Sequence, residues 1–297
     1  MKSIKIIYLC IISVVVILLI CLGISKYLEL DMPVYFENFC EYETFYEENP
    51  DGTSYIQDLN FSIQYVTNVS DSRTVSTIHF PYAPEIYAQG SNYNQSFSFF
   101  SYDNNQISAR TYGRYSVRDL YINVMFDQLF DDIILTKAII YYNNGDMQEV
   151  ELGKIVLRCH ESQVNYIVSE SSGGSNDGTA FNTYRITKDV ELVDITSPFK
   201  YLIDEIFEIT INNVDYKDIS GTQLKEGSSL RIEIASKNAL NESMIYNIYR
   251  LLPMINYQDM DGNKYSIPIY NVGYIPIYDA DFTFSGLINY FNSKGAL

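Results

Sequence analysis

The sequence predicts an all-β protein: two tandem β-sandwich domains carried behind one N-terminal transmembrane helix. Three observations predict it. A run of twenty uncharged residues opens the chain, hydrophobic residues then alternate with a period of two, and Asn-Gly and Asp-Gly dipeptides separate the alternating runs.

The uncharged run, residues 6–25, lies between Lys5 and Lys26. As a helix rising about 1.5 Å per residue it spans about 30 Å, the thickness of a bilayer's hydrocarbon core. A cleavable secretory signal has a shorter apolar stretch, about 7–15 residues, followed by a small-x-small site. Neither property fits this run, so it is read as a permanent anchor. Acylation at Cys21 is disfavoured because Ile20, not a small residue, precedes it. Lys2 and Lys5 stand before the helix, while Glu29, Asp31 and Glu37 follow Lys26. The positive-inside rule then keeps residues 1–5 in the cytoplasm and exports the rest.

All 37 acidic residues follow the helix, against 17 of the 20 basic ones, so the exported part carries a formal charge of −20. Such a field repels phosphate backbones and anionic lipid headgroups, which argues against nucleic-acid binding and against a peripheral grip on the membrane surface, and suits a cationic environment or a basic partner. Aromatic and β-branched residues are too abundant for a disordered chain, and the length allows about two ordinary domains. The bias toward Ile, Asn, Tyr and Lys matches an AT-rich genome and suggests a bacterial cell surface.

Residues 26–52 read as an acidic, aromatic neck. Beyond it, Leu120, Ile122, Val124 and Phe126 fall on one face of a strand with Tyr121, Asn123 and Met125 on the other. The same alternation recurs at Phe207, Ile209 and Ile211, and at Leu230, Ile232 and Ile234. Asn144-Gly145 and Asp261-Gly262 each divide two apolar runs, the signature of a hairpin turn. These pieces form a weak internal repeat of roughly a hundred residues, the size of one sandwich domain. The first domain is drawn at 53–168 and the second at 180–284, with SESSGGSNDG supplying a flexible linker at 169–179. An immunoglobulin-like arrangement is one candidate for each sandwich. Pro268 marks its strand as an edge. Helical spacing is confined to 285–297, where Leu287, Ile288 and Phe291 recur, and to the stretch after Ser197-Pro198.

Chemistry is sparse. His79, between Ile78 and Phe80, is expected to face water, and His160 follows Cys159 directly, so the two side chains point to opposite faces of a strand. Cys40 and Cys159 either form a disulfide tying the neck to the end of the first domain or remain two thiols. Asp259, Asp261 and Asn263 resemble the opening of a calcium loop, but Lys264 and Tyr270 occupy the positions that need Gly and Glu. A hairpin turn at Gly262 is the better reading, and neither a metal site nor a cofactor is expected. Four Asn-x-Ser sequons, at Asn60, Asn68, Asn94 and Asn241, read as coincidence in an Asn- and Ser-rich chain.

One segment, 82–118, has the Tyr, Ser, Asn, Gly and Arg mixture of adaptable binding surfaces. Tyr102, Arg110, Tyr112, Arg114, Tyr115 and Arg118 are its candidate binding residues. Because Arg118 and the core residue Leu120 share parity, a bulge or turn is expected between them. The chain thus reads as a membrane-anchored extracytoplasmic binding or scaffolding protein rather than an enzyme, with a protein or cell-wall polymer as partner. An accessory or sensory subunit of a membrane complex is the alternative, and a cell-surface hydrolase a third.

Overall fold

The computed structural model describes residues 2–48, 54–84, 86–92, 109–126, 130–161, 165–175, 178–237, 244–275 and 282–297. The described residues are all-β apart from the helical ends, one short internal helix and a 3-10 turn at Tyr216–Asp218. Helix α1 (Lys2–Tyr27) stands clear of the body: Ile11, Val15, Leu19 and Leu22 are 48–65% exposed. An apolar helix left bare in this way is a candidate membrane anchor.

The first sandwich has a smaller sheet of β1 (Val34–Tyr35), β4 (Leu59–Asn68), β8 (Tyr115–Met125) and β6 (Tyr87–Ser91), with β7 (Ala109–Tyr112) also paired to β8. Its larger sheet runs β21 (Val272–Tyr274), β18 (Ile248–Leu251), β2 (Asn38–Glu48), β10 (Met147–Glu161), β9 (Ile133–Tyr142), β5 (Val75–His79), with β3 (Ser54–Ile56) on β2. The second sandwich pairs two antiparallel sheets. One holds β11 (Ile167–Gly174), β12 (Thr179–Ile186), β17 (Ser229–Ser236), β14 (Phe207–Ile211) and β15 (Val214–Asp215). The other holds β16 (Gln223–Leu224), β13 (Val190–Thr196), β19 (Met254–Asp259) and β20 (Lys264–Pro268), with α2 (Lys200–Ile206) between β13 and β14.

The hairpin signals act as expected. Gly145 (φ +93°) turns β9 into β10 and Gly262 (φ +84°) turns β19 into β20, conformations that disfavour a side chain. The repeat is visible too. β8 is followed by the β9–β10 hairpin in the facing sheet, and β17 precedes the β19–β20 hairpin in its facing sheet, with β18 inserted between them. Pro268 lies on the outermost strand, β20.

Three expected boundaries differ from the structure. The neck does not precede the first sandwich but belongs to it: Asn38–Glu48 is a central strand, parallel to both β10 and β18. It alternates like any doubly buried strand. Cys40 and Tyr42 face the first core, while Phe39 packs on the second. Gly153 makes the junction possible, since at φ +83° a Cβ there would lie 2.6 Å from the Asn38 carbonyl oxygen. The linker is not a linker either, because residues 169–174 belong to edge strand β11, paired antiparallel with β12. A polar strand suffices at an edge whose outer face is solvent. Nor are the sandwiches beads on a string. After β17 the chain returns to the first sandwich as β18, leaves for β19 and β20, and returns again as β21. Helix α3 (Phe284–Ser293), capped by the Thr283 hydroxyl, then buries Leu287, Tyr290 and Phe291 in the first core.

Candidate functional site

Among the described residues of the Tyr/Arg segment, the candidates do not share one exposed face. Tyr102 lies outside the described residues. Strand β8 pairs with β4 in unbroken register from Tyr115 to Val124, so the expected bulge between 118 and 120 is absent and the turn falls at Gly113–Arg114 instead. With no bulge, Arg118 shares the inward face of Leu120. It is buried, and its guanidinium donates to the carbonyls of Arg73 (3.0 Å) and Asp71 (2.6 Å). Tyr115 is also buried, its hydroxyl donating to the Leu28 carbonyl at 2.7 Å and its ring stacked on Phe284. Tyr112 meets Phe282 edge-on, Arg114 donates to the Ser25 carbonyl, and Arg110 is exposed on β7. The segment's inner residues thus fasten the helix ends to the sandwich. Parity with Leu120 was the signal that Arg118 points inward.

Cys40 and Cys159 do not approach each other. In the parallel β2–β10 pair, Cys40 is opposite Ile155 and Cys159 opposite Thr44, four residues further along. That is a separation of roughly 13 Å, beyond the reach of a disulfide. Both are free thiols, and burial pushes the Cys40 thiol up to about 12.

His79 is exposed between buried Ile78 and Phe80, as its strand parity requires. The calcium-like loop is a turn closed by Asp259. Its Oδ1 accepts from the Asp261 and Asn263 amides at 3.0 and 2.9 Å, while Oδ2 takes Lys188 Nζ at 2.9 Å. The same ammonium lies 3.5 Å from the Asp261 carboxylate. Hydrogen bonds from Lys188 and Asn263 hold the Asp259 carboxyl well below the usual carboxylate range. Among the sequons, Asn68 is buried against Leu30 and Asn60 bonds Asn123, whereas Asn94 and Asn241 fall outside the described residues.

Sequence reasoning missed the site that the interlocked strands create. On β2 the residues facing the second sandwich are Phe39, Glu41, Glu43 and Phe45; on β10 they are Val156, Arg158 and His160. Where the two bodies touch, Phe39 and Val156 join the second core. Further along the same strands they diverge, and a cleft of about 620 Å³ opens. Its first wall is Glu43, Phe45, Asp132, Arg158 and His160; its second is Thr196, Ser197, Pro198, Met254, Asn256, Ser266, Pro268 and Tyr270, with Asn165 beside them.

The floor is a buried clamp. Glu41, with its side chain fully buried, accepts from Ser197 Oγ at 2.9 Å and from the Leu252 amide at 3.1 Å, both on the second sandwich's side. Arg158 Nη1 lies 2.9 Å from its other oxygen, and Arg158 Nε donates to Asp132 at 3.3 Å. Ser197 also accepts from the Phe199 amide, fixing the corner that starts α2. Burial raises the Glu41 and Glu43 carboxyls above their ordinary range. Tyr270, from the second sandwich, donates to Glu43 Oε1 at 3.0 Å and so bridges the cleft. Burial and the neighbouring Arg158 lower the His160 imidazole, whose Nε2 is buried without a hydrogen-bond partner. Concavity, two part-exposed rings (Phe45 and Tyr270) and several fixed polar groups are the properties of a ligand site.

No protein-family model and no curated protein matches the chain. Among solved structures it is similar to the D00-D0 domain of intimin, with 9% identity, 81% of this chain and 100% of that one covered, and a TM-score of 0.24. It is also similar to a protein of unknown function from Porphyromonas gingivalis W83, with 11% identity, coverage of 76% and 94%, and a TM-score of 0.22. A chicken TCR follows at a TM-score of 0.18, 11% identity and coverage of 81% and 99%. Likenesses of this size carry no argument about the chain's role.

Proposed function

We propose that the chain is a membrane-anchored, extracytoplasmic binding or scaffolding protein of a bacterial cell surface, without catalytic activity of its own. One observation carries the reading: an apolar helix with no core to cover it is joined directly to an interlocked pair of sandwiches that share a cleft. Such a helix is stable in a bilayer and poorly stable in water. The cleft is the binding site of this reading. Its ligand is a protein segment or wall polymer that meets the Phe45 and Tyr270 rings and the polar groups around them, in a protein whose charge favours basic groups.

Protease added outside intact cells should remove the sandwiches and leave the helix; protection until lysis would overturn the topology. A photo-crosslinking side chain at Tyr270 should capture a partner in intact membranes, and the same group at Val214, on the outer edge of the second sandwich, should not. Equal capture at both positions would move the binding site away from the cleft.

A further inference from the structure

The end of α1 does not lead into a flexible stalk. Only Leu28 and Glu29 separate the helix from buried Leu30, and the sandwich holds this stretch at several points. Arg114 donates to the Ser25 carbonyl, Tyr27 donates to Asn292 on α3 at 3.2 Å, and Tyr115 donates to the Leu28 carbonyl. The Leu30 amide and carbonyl both bond the Asn68 side chain, at 3.1 and 2.7 Å. If residues 6–25 fill a hydrocarbon core about 30 Å thick, Ser25 to Tyr27 lie at its outer boundary. Every group bonded to them is then at headgroup depth.

The surface at this end has a matching character. The Val69 amide bonds the Arg114 carbonyl, which puts the turn after β4 beside the Gly113–Arg114 turn. Val69 is 50% exposed, Phe284 36% and Tyr27 58%. Gly113 has no Cβ where one would lie 2.8 Å from the Phe284 ring, so the ring lies across the turn. Lys26, paired with Glu29, and Arg114, bonded to the Ser25 carbonyl, put positive charge at this end of a body of formal charge −20. Arg114 Nε is buried and has no hydrogen-bond partner in the protein. Aromatic rings with arginine and lysine are the residues that settle at a membrane interface.

We propose that this end of the first sandwich, the Val69 and Gly113–Arg114 turns with the start of α3, is seated in the phospholipid headgroup layer. Phe284 and Tyr27 sit at the interface and Arg114 faces lipid phosphates. The ectodomain is then held upright at a fixed orientation, with the inter-sandwich cleft presented at a fixed height. This rests on reading α1 as a membrane anchor.

The chain has no tryptophan, so Phe284→Trp introduces a single indole beside its stacking partner Tyr115. The full-length variant is reconstituted in phosphatidylcholine liposomes with and without acyl chains brominated near the headgroup. Blue-shifted emission that brominated lipid quenches is expected, and Met260→Trp, on the β19–β20 turn of the second sandwich, should show neither. Should Phe284→Trp fail to fold, Val69→Trp is read in the same way. Protein that floats with the liposomes yet shows no quenching at Phe284 or Val69 overturns the seating and leaves the anchor intact. Quenching at Met260 as well overturns the upright orientation. Protein that does not float at all overturns the anchor beneath both.

Discussion

The two sandwiches are built from the chain in opposite ways. The second is nearly contiguous, with β11 to β17 following one another before β19 and β20 complete it. The first is assembled from the whole length of the chain, with strands from residue 34 onward joined by β18, β21 and α3. The body attached to the apolar helix α1 is therefore the one that draws on the C-terminal residues. One consequence is that the unit 53–168 lacks β1, β2, β18, β21 and α3, and should not fold alone. A contiguous sandwich can be cut out of a sequence by eye; an interlocked one cannot.

The largest test of this difference is removal of residues 283–297. Three buried side chains, Leu287, Tyr290 and Phe291, leave the first core, at a cost of roughly 5–9 kcal/mol, comparable to the stability of a domain. Hydrogen exchange should show β4, β8 and β9 losing protection while β12 and β17 keep theirs. Equal loss in both sandwiches would mean one cooperative unit.

Next in size is Gly153→Ala, which places a Cβ against the Asn38 backbone at positive φ. A loss of about 3 kcal/mol is expected from denaturant titration. A near-silent substitution would show that β2 and β10 are not held as closely as described. The third test separates two arginines that look alike in sequence. Arg118→Ser removes two hydrogen bonds to half-buried carbonyls and should cost about 2 kcal/mol, whereas Arg110→Ser, on exposed β7, should change stability by less than about 0.5 kcal/mol. Equal melting points for the two variants would return Arg118 to the surface.

The smallest effect concerns the cleft. Burial raises the Glu43 carboxyl, so the folded state binds its proton more tightly than the unfolded chain does. That contribution is fully present below the unfolded carboxyl pKa, about 4.3, and is lost as pH rises through the folded value. Relative to Glu43→Gln, the parent should therefore gain stability as pH falls from 7 toward 4.5. Asp259 acts in the opposite sense, since its lowered carboxyl contributes stability above the unfolded Asp pKa, about 3.9, that is lost in stronger acid. A parent-minus-variant curve that is flat between pH 7 and 4.5 would show that Glu43 is well solvated and the cleft more open than described.

Local signals in the sequence were legible because local physics produces them. Gly145 and Gly262 needed positive φ, Leu287 and Phe291 kept helical spacing, and Ile232 kept strand spacing. Asn38–Glu48 was harder because its two faces serve two cores: Cys40 and Tyr42 on one side, Phe39 and the clamp residue Glu41 on the other. Buried acids there resemble the solvated acids of a spacer. The stretch 169–174 misled for the reverse reason, since Gly173 is small to make room for the Phe181 ring. The cleft left no motif at all. Glu43, His160 and Tyr270 converge only because a parallel strand pair and a returning chain bring them together.

The position of β2 sets an order of events during synthesis. Its partner β18 lies about ninety residues beyond Glu161, a delay on the order of 5–20 s at 5–20 residues per second. For that interval one flank of β2 is a bare template for any strand nearby. The strand then displays Glu41 and Glu43, and charge along an open strand discourages stray pairing. Glu41 is thus a repellent while the chain is growing and a clamp once Ser197 and Leu252 arrive. Newly made copies crowded on one patch of membrane would be exposed to strand exchange until their last residues emerge.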